Sequence, residues 1–514
     1  MYDIVGIGIG PFNLGLAALL DPLPDVKALF LDRKPTFSWH PGMLLDGTTL
    51  QVPFLADLVT MADPTNPYSF LNYLKEHGRL YAFYFYERFH IPRREYDAYC
   101  RWAAERIASC RFGVEVTQVS AVTEAELEAA GSEAARRGGS VPVASRAMVP
   151  TLAVAGVGNE HGKVADVGIE HVGKVAGVGN EDRRTDTGAS VSGNRSDPDA
   201  TRELYRIETV GSVGQPRVYY ARNLALGVGS VPHVGEAFEP YLREGSVFHS
   251  AQFGDRLEQC RQARSVTVVG SGQSAAEVFL HLLNGQAECG YRLDWLTRSP
   301  GFFPMEYSKL GLEHFSPDYT SYFYNLPPAR KDEVRSKQHL LYKGISAGTI
   351  ADIYDRLYEL TVDGGRPDIK LLAHVDVQAI EPLAGGGPGY RLSCRHTEQD
   401  RAFEHETELV ILATGYAHPV PGFLEPLRER IRWDAQGRFE VEPDYRLQLN
   451  GEGGGRIYIQ NGELHSHGVG APDLGLGAHR SSVIINSLTG RDVYPVRERN
   501  VFQQFGVASG REEG

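Results

Sequence analysis

At 514 residues, with 42% hydrophobic and 23% charged side chains, the chain has the make-up of a globular protein of about three domain-sized units. Its 52 Lys and Arg against 65 Asp and Glu leave a net charge of −13, which argues against a nucleic-acid binder. No apolar run reaches the ~18 residues of a membrane span, and Met1-Tyr2-Asp3 lacks the basic start of a signal peptide, so a cytoplasmic protein is expected. Five cysteines without a CxxC pair speak against a disulfide framework, a thiolate metal site and a CxxC redox centre.

The first predicted element is the apolar strand at Asp3-Ile-Val-Gly-Ile, running through Gly6, Gly8 and Gly10 into a helix that opens at Pro11. That glycine spacing lets backbone approach a pyrophosphate at a helix N-terminus. The strand Ala28-Leu-Phe-Leu-Asp32 follows, and Asp32 falls where a ribose-binding carboxylate belongs.

From Gly113 to Leu204 there is no Phe, Tyr or Trp, and a repeat of ten to eleven residues recurs at Val154, Val164 and Val175. The stretch, about 124–202, reads as a low-complexity insertion looping out between strands, since it carries too little apolar area to offset its ordering entropy.

Beyond it, Asn223 to Pro232 is a strand ending in glycines. Arg264 to Leu280 repeats the strand, glycine turn and helix pattern with Gly270, Gly272, Gln273 and Ser274 at the turn. The next strand, from Asp294, ends at Arg298 and Ser299; a base there suits a 2′-phosphate, which points to NADPH. Residues 301–369 carry apolar positions at helical spacing, as in Ile350 to Leu360. The strand Glu408 to Leu412 runs into Ala413-Thr414-Gly415-Tyr416 and is expected to return beside a flavin. His465 and His467 alternate as on a strand and read as packing or flavin-edge residues, not metal ligands; no metal site is expected.

Two dinucleotide turns joined by two crossings imply a flavin-bound, NADPH-using oxidoreductase. With neither a redox disulfide nor a metal, dioxygen is the natural co-substrate.

Four further motifs carry a family resemblance: Phe37-Ser-Trp39-His40-Pro-Gly-Met43, Leu50-Gln51-Val-Pro-Phe54, Asp63 to Leu74 and Glu95 to Trp102. Together with Gly270 to Glu277, Ala413 to Tyr416 and His467 to Gly477, they resemble the N-hydroxylating monooxygenases of siderophore biosynthesis, which act on lysine, ornithine or diamines. The resemblance implies that Gly6, Gly8, Gly10, Pro11, Asp32, Trp39, His40 and Gln51 line FAD, Gln51 positioning the flavin. It places Gly270, Gly272, Gln273, Ser274 and Arg298 at NADPH, with Thr414, Gly415, Asp473 and Leu474 also beside the cofactors. It further implies a 4a-hydroperoxyflavin attacked by a neutral amine, so an ammonium of pKa near 10.4 must lose its proton in the site.

Three departures bear on the substrate. Members acting on lysine or ornithine have a lysine where this chain has Ala56, within Phe54-Leu55-Ala56-Asp57-Leu58. Ornithine enzymes have an Asn-Glu pair aligned with Leu312-Glu313. Amino-acid enzymes have Leu-Ser where this chain has Leu474-Gly475. Lost polar groups favour a substrate without an α-amino acid head: putrescine or cadaverine, with Glu306, Glu313 or Asp473 receiving the far ammonium. Lysine or ornithine is the alternative substrate, and a non-catalytic redox sensor the alternative of another class. The expected fold is α/β, with two Rossmann-like dinucleotide-binding domains and a small helical substrate region. The FAD domain would comprise 1–226 and 405–514, the NADPH domain 227–300 and 370–404, and the substrate region 301–369; a homodimer or homotetramer is expected.

Overall fold

The computed structural model describes residues 1–127, 203–384, 387–451 and 454–507. The chain divides into a compact unit of Met1–Val122 with Glu203–Gly514 and a second unit, Thr123–Arg202. In the second unit the Thr123 N–H and hydroxyl both donate to the Glu126 carboxylate, at 2.8 and 3.0 Å. From residue 128 onward the expected insertion, with its tandem repeat, lies outside the described residues.

The first sheet of the larger unit gathers β1 (Tyr2–Ile7), β2 (Ala28–Asp32), β3 (Cys110–Phe112), β4 (Val114–Thr123), β5 (Glu203–Gly211) and β6 (Pro216–Leu226) in the order β3-β2-β1-β6-β5-β4. β1 pairs in parallel with β2 (Ile4↔Ala28) and β6 (Ile4↔Asn223), whereas β5 runs antiparallel to β6. Central strands of a parallel sheet are covered on both faces, and so read as unbroken apolar runs. On one face lie the helices Pro11–Leu20, Arg93–Arg106 and Gly477–Thr489; on the other, Leu424, Leu427, Ile431 and Val441.

The chain leaves this sheet through β7 (Val231–Pro232) and builds a second from β8 (Val247–His249), β9 (Ser265–Val269), β10 (Arg292–Leu296) and β11 (Ile369–Leu372). An antiparallel trio follows, β12 (Val375–Pro382), β13 (Tyr390–His396) and β14 (Arg401–Thr407), and then β15 (Leu409–Leu412). The second sheet has the order β11-β10-β9-β15-β8. β15 pairs in parallel with β9 (Leu409↔Val266), so the strand expected to return beside a flavin stands in the second sheet. The boundary expected at 405 falls inside β14, and β15 beyond it pairs with β9, which is buried from Ser265 to Val268. The return crossing is β16 (Tyr416–Ala417), antiparallel to β7 (Tyr416↔Pro232), and β17 (Ile457–Ile459) rejoins the first sheet beside β6.

Residues 301–369 are mostly helical, with helices Pro317–Tyr324, Pro328–Lys337 and Ala347–Glu359. They do not form one body. Tyr319 and Phe323 pack with Val469, whereas Ile350, Ile353 and Leu357 join the core beneath the second sheet. Ile369 already begins β11. Among the described residues, no helix is long and apolar enough to cross a membrane.

Candidate active site

β1 passes into the helix Pro11–Leu20 through a turn that needs its glycines. Gly8 sits at φ +86°, and a Cβ on it would stand 2.5 Å from the Gly227 carbonyl oxygen; a Cβ on Gly6 would enter the Phe30 ring. At Gly10 the nearest atom to such a Cβ is 4.0 Å away, so that position is open. Gly10 is the N-cap, Pro11 opens the helix, and neither a side-chain cap nor an acidic residue occupies the first turn. The first N–H groups and the positive helix end are left for an anion.

Asp32 is buried, its Oδ2 accepting the Ile9 N–H at 2.7 Å and its Oδ1 the Lys34 N–H at 2.8 Å. It braces the turn from beneath. Asn13 has the same task and escapes sequence reasoning: its amide donates to Gly8 O (2.8 Å) and Ala225 O (3.2 Å) and accepts from Gln460 Nε2 (2.7 Å). The available signal was a lone amide in an otherwise apolar, buried helix.

Among the described residues, Gln51 Nε2 is buried without a hydrogen-bond partner. An open cradle of N–H groups and an orphaned amide donor fit a pyrophosphate-linked flavin. Trp39 donates its N–H to Asp97 (2.8 Å) and sets its ring against His40 (4.9 Å) and Tyr96 (5.1 Å). His40 is held at φ +48°, and burial pushes its imidazole down to about 4, so it is neutral at pH 7. Its ring lies 5.7 Å from that of Tyr416, on the return crossing.

The second turn repeats the design. Gly270 has φ +147°, and a Cβ on it would stand 2.2 Å from Ala413 O. Gly272 is the uncapped N-cap of the helix Gln273–Cys289, with partly exposed Ser274 in its first turn. Gln273 is committed to protein partners, donating to Glu277 and Thr349 (both 3.0 Å) and accepting the Ser346 N–H (2.7 Å). Arg298 is exposed and has no ion-pair partner among the described residues; the Ser299 N–H donates to Thr297 Oγ1 (3.1 Å). The Thr414 hydroxyl donates to His233 O, and Gly415 O (φ +87°) takes the His233 N–H at 2.9 Å. This second cradle, with a free guanidinium beyond the next strand, fits a phosphorylated dinucleotide.

The positions expected to meet substrate separate into two groups. Ala56 and Gly475 meet: a Cβ on Gly475 would lie 3.8 Å from the Ala56 Cβ and 2.8 Å from Asp473 Oδ1. Asp57 fixes this turn by accepting the N–H groups of Val59, Thr60 and Phe70. Asp473 is partly buried, takes the Gly475 N–H at 2.7 Å, and is pushed up to about 6 by desolvation. Its charge bears on Tyr96 and Tyr307, and the Tyr307 hydroxyl donates to Gln51 O at 3.3 Å. Gln51, Ala56, Tyr307, Asp473, Leu474 and Gly475 thus form one neighbourhood.

Leu312 and Glu313 serve elsewhere. Leu312 is exposed, and the Glu313 carboxylate accepts the N–H groups of Phe502 and Gln503 in the C-terminal tail, which holds it below its ordinary range. Glu306 is exposed and bound to the Ser308 N–H (2.6 Å), also with a lowered pKa. Of the three acids considered for the far ammonium, Asp473 alone stands beside Ala56.

His465 and His467 lie on a short helix, Leu464–His467, and not on a strand. Both do pack: His465 donates to Phe439 O (2.7 Å), and His467, pushed down to about 3 by burial, stacks on Tyr445 at 4.5 Å.

Comparison with known proteins bears on this geometry. The family model described as L-lysine 6-monooxygenase/L-ornithine 5-monooxygenase matches residues 1–157 and 182–418, omitting part of the repeat-bearing stretch. A rhizobactin siderophore biosynthesis protein of Rhizobium meliloti is 41% identical, over 99% of this chain and 96% of its own. A putrescine N-hydroxylase of Shewanella oneidensis is 37% identical, over 98% of this chain and 84% of its own. The FAD-bound crystal structure of the cadaverine monooxygenase of the desferrioxamine pathway from Erwinia amylovora superposes with a TM-score of 0.80. It is 36% identical and covers 99% of both chains.

Proposed function

Because the chain belongs to the L-lysine 6-monooxygenase/L-ornithine 5-monooxygenase family of FAD- and NADPH-dependent N-monooxygenases, we propose that it hydroxylates one terminal amine of a linear aliphatic diamine for siderophore assembly. Putrescine and cadaverine, the substrates named for two of its relatives, are the candidates. Family membership sets aside the reading of a non-catalytic sensor. When bound, FAD supplies the oxygen chemistry, using dioxygen and electrons from NADPH.

The observation that carries the substrate class is the contact of Ala56 with Gly475 beside Asp473. Neither residue offers a polar side chain to a carboxylate, and Asp473 repels one. A far ammonium, in contrast, pairs with Asp473 once that carboxylate is ionised. Lysine brought to the same place would leave its carboxylate without a cation, at a cost of about 1–3 kcal/mol or more. The reacting amine must arrive neutral; desolvation against packed rings such as Trp39 and the uncharged His40 favours loss of its proton.

We place FAD on the first glycine turn with Gln51 at its flavin, and NADPH on the second turn with Arg298 at its 2′-phosphate. The cytoplasm, where NADPH is regenerated, is the proposed location, and a homo-oligomer, open to test by sizing the holoenzyme, is part of the same reading. Incubating the FAD-loaded enzyme with NADPH, air and each amine, then measuring product mass, tests the substrate class. A diamine one oxygen heavier is expected; oxygenated lysine or ornithine with unchanged diamines contradicts it.

A further inference from the structure

Arg93 opens the helix Arg93–Arg106 in the first core, and Glu277 lies one turn into the helix that begins at the second glycine turn. The two meet across 184 residues as a bidentate pair, Nη1 to Oε2 at 2.8 Å and Nη2 to Oε1 at 2.7 Å, with side chains 12% and 4% exposed. Arg93 Nη1 also donates to Met43 O at 3.0 Å, in the segment after Trp39 and His40. On the other side Gln273 extends the chain: its amide donates to Glu277 Oε1 and Thr349 Oγ1 (3.0 Å each), and its carbonyl takes the Ser346 N–H. The Ser346 and Thr349 hydroxyls are 2.7 Å apart. A single path of hydrogen bonds thus joins the first core, the N-terminal turn of the second dinucleotide helix, and the helix Ala347–Glu359.

A buried ion pair is a poor source of net stability, because desolvation offsets much of its attraction. What two parallel N–H···O bonds supply, and apolar packing does not, is a defined orientation. We propose that Arg93, Glu277 and Gln273 are positioning residues that fix the second glycine turn against the first, and thereby set the rate of hydride transfer from NADPH to FAD. In that step one proton with two electrons leaves NADPH as NADP⁺ and is taken up by the flavin, so its rate depends on the distance and angle between the two rings. The inference rests on the placement of FAD and NADPH given above.

The test uses the full-length protein as Arg93→Lys, Glu277→Gln and the apolar pair Arg93→Met/Glu277→Met. Flavin reduction by NADPH is followed anaerobically by stopped flow. At saturating NADPH the rate constant is expected to fall at least ~10-fold in all three, with half-saturation within ~3-fold of wild type and FAD content retained. In the apoprotein, amide exchange at 270–277 and 344–350 is expected to accelerate. Wild-type reduction rates or unchanged exchange in FAD-competent Arg93→Lys or Met/Met protein would overturn this positioning role. A fall in rate matched by loss of FAD in every variant would do the same, by showing a structural role only. Failure of NADPH to reduce the wild-type flavin would instead overturn the cofactor placement itself.

Discussion

Ala56 and Gly475, 419 positions apart in sequence, face each other so closely that a Cβ on residue 475 would touch the Ala56 methyl at 3.8 Å. The apolar floor they form lies beside Asp473, whose carboxyl is pushed up to about 6 by desolvation. A lysine installed at residue 56 would bring an ammonium against Asp473. Ala56→Lys is therefore expected to lower kcat/KM for the diamine by about tenfold or more, roughly 1.4 kcal/mol, with anaerobic flavin reduction unchanged. A gain in diamine turnover would count against this geometry.

Asp473 should impose a pH signature. If it receives the far ammonium, binding strengthens as it ionises, so the ratio of wild-type to Asp473→Asn kcat/KM should climb through about pH 6; taking the ratio cancels substrate ionisation. A flat ratio would remove Asp473 from substrate binding. The same shift has a stability consequence. The folded pKa lies above the ordinary 3.8, so the folded protein holds an extra proton between 3.8 and about 6. The stability of the apoprotein relative to that of its Asp473→Asn variant should therefore fall as pH rises through that window.

The two ends of the first glycine turn should respond differently. Gly8→Ala forces a side chain to φ +86° and against Gly227 O, so loss of stability by more than ~1–2 kcal/mol is expected, with loss of FAD. At Gly10 a methyl meets no protein atom closer than 4.0 Å. Gly10→Ala should keep the wild-type Tm in the apoprotein while weakening FAD binding, as equilibrium titration would show. Equal FAD affinity in that variant would place the pyrophosphate elsewhere.

Arg298 is exposed and has no ion-pair partner among the described residues, so its removal should leave the fold intact. Arg298→Ala is expected to raise the KM for NADPH at least ~10-fold and leave that for NADH nearly unchanged, since a 2′-phosphate contact is worth on the order of 1.5–3 kcal/mol. Parallel loss with both coenzymes would assign Arg298 a different role.

Near the Asp473 segment, Arg480 is fully buried. It lies 3.1 Å from Glu463, donates to Ala471 O (2.6 Å), and sits over the Phe12 ring at 4.7 Å. Arg480→Met would strand the Glu463 charge and release the segment that carries Asp473. Urea denaturation should register a loss of about 3–5 kcal/mol; a loss below ~1 kcal/mol would show the pair to be dispensable.

Much of this architecture is legible in the sequence. Both glycine turns follow from strand and helix periodicity around fixed glycines, and the crossings at 223–232 and 408–416 do pair through β7 and β16. What could not be read was partner identity over long separations. Nothing local in the sequence shows that Asn13 awaits Gln460, that Arg93 awaits Glu277, or that Glu313 is taken by the tail at Phe502 and Gln503. The sheet that β15 joins is hidden for a related reason: a buried apolar strand looks the same whichever sheet it completes. His465 and His467, two apart, suit a strand or one turn of helix equally, and tertiary packing against Phe439 and Tyr445 decides.

The most direct test of the central claim is the ratio of kcat/KM for hydroxylamine formation with putrescine or cadaverine to that with L-lysine, at one pH and saturating NADPH and oxygen. A ratio well above ~10 is expected from an apolar pair at Ala56 and Gly475 set beside an anionic Asp473. A ratio below one would contradict it and make this chain an amino-acid hydroxylase.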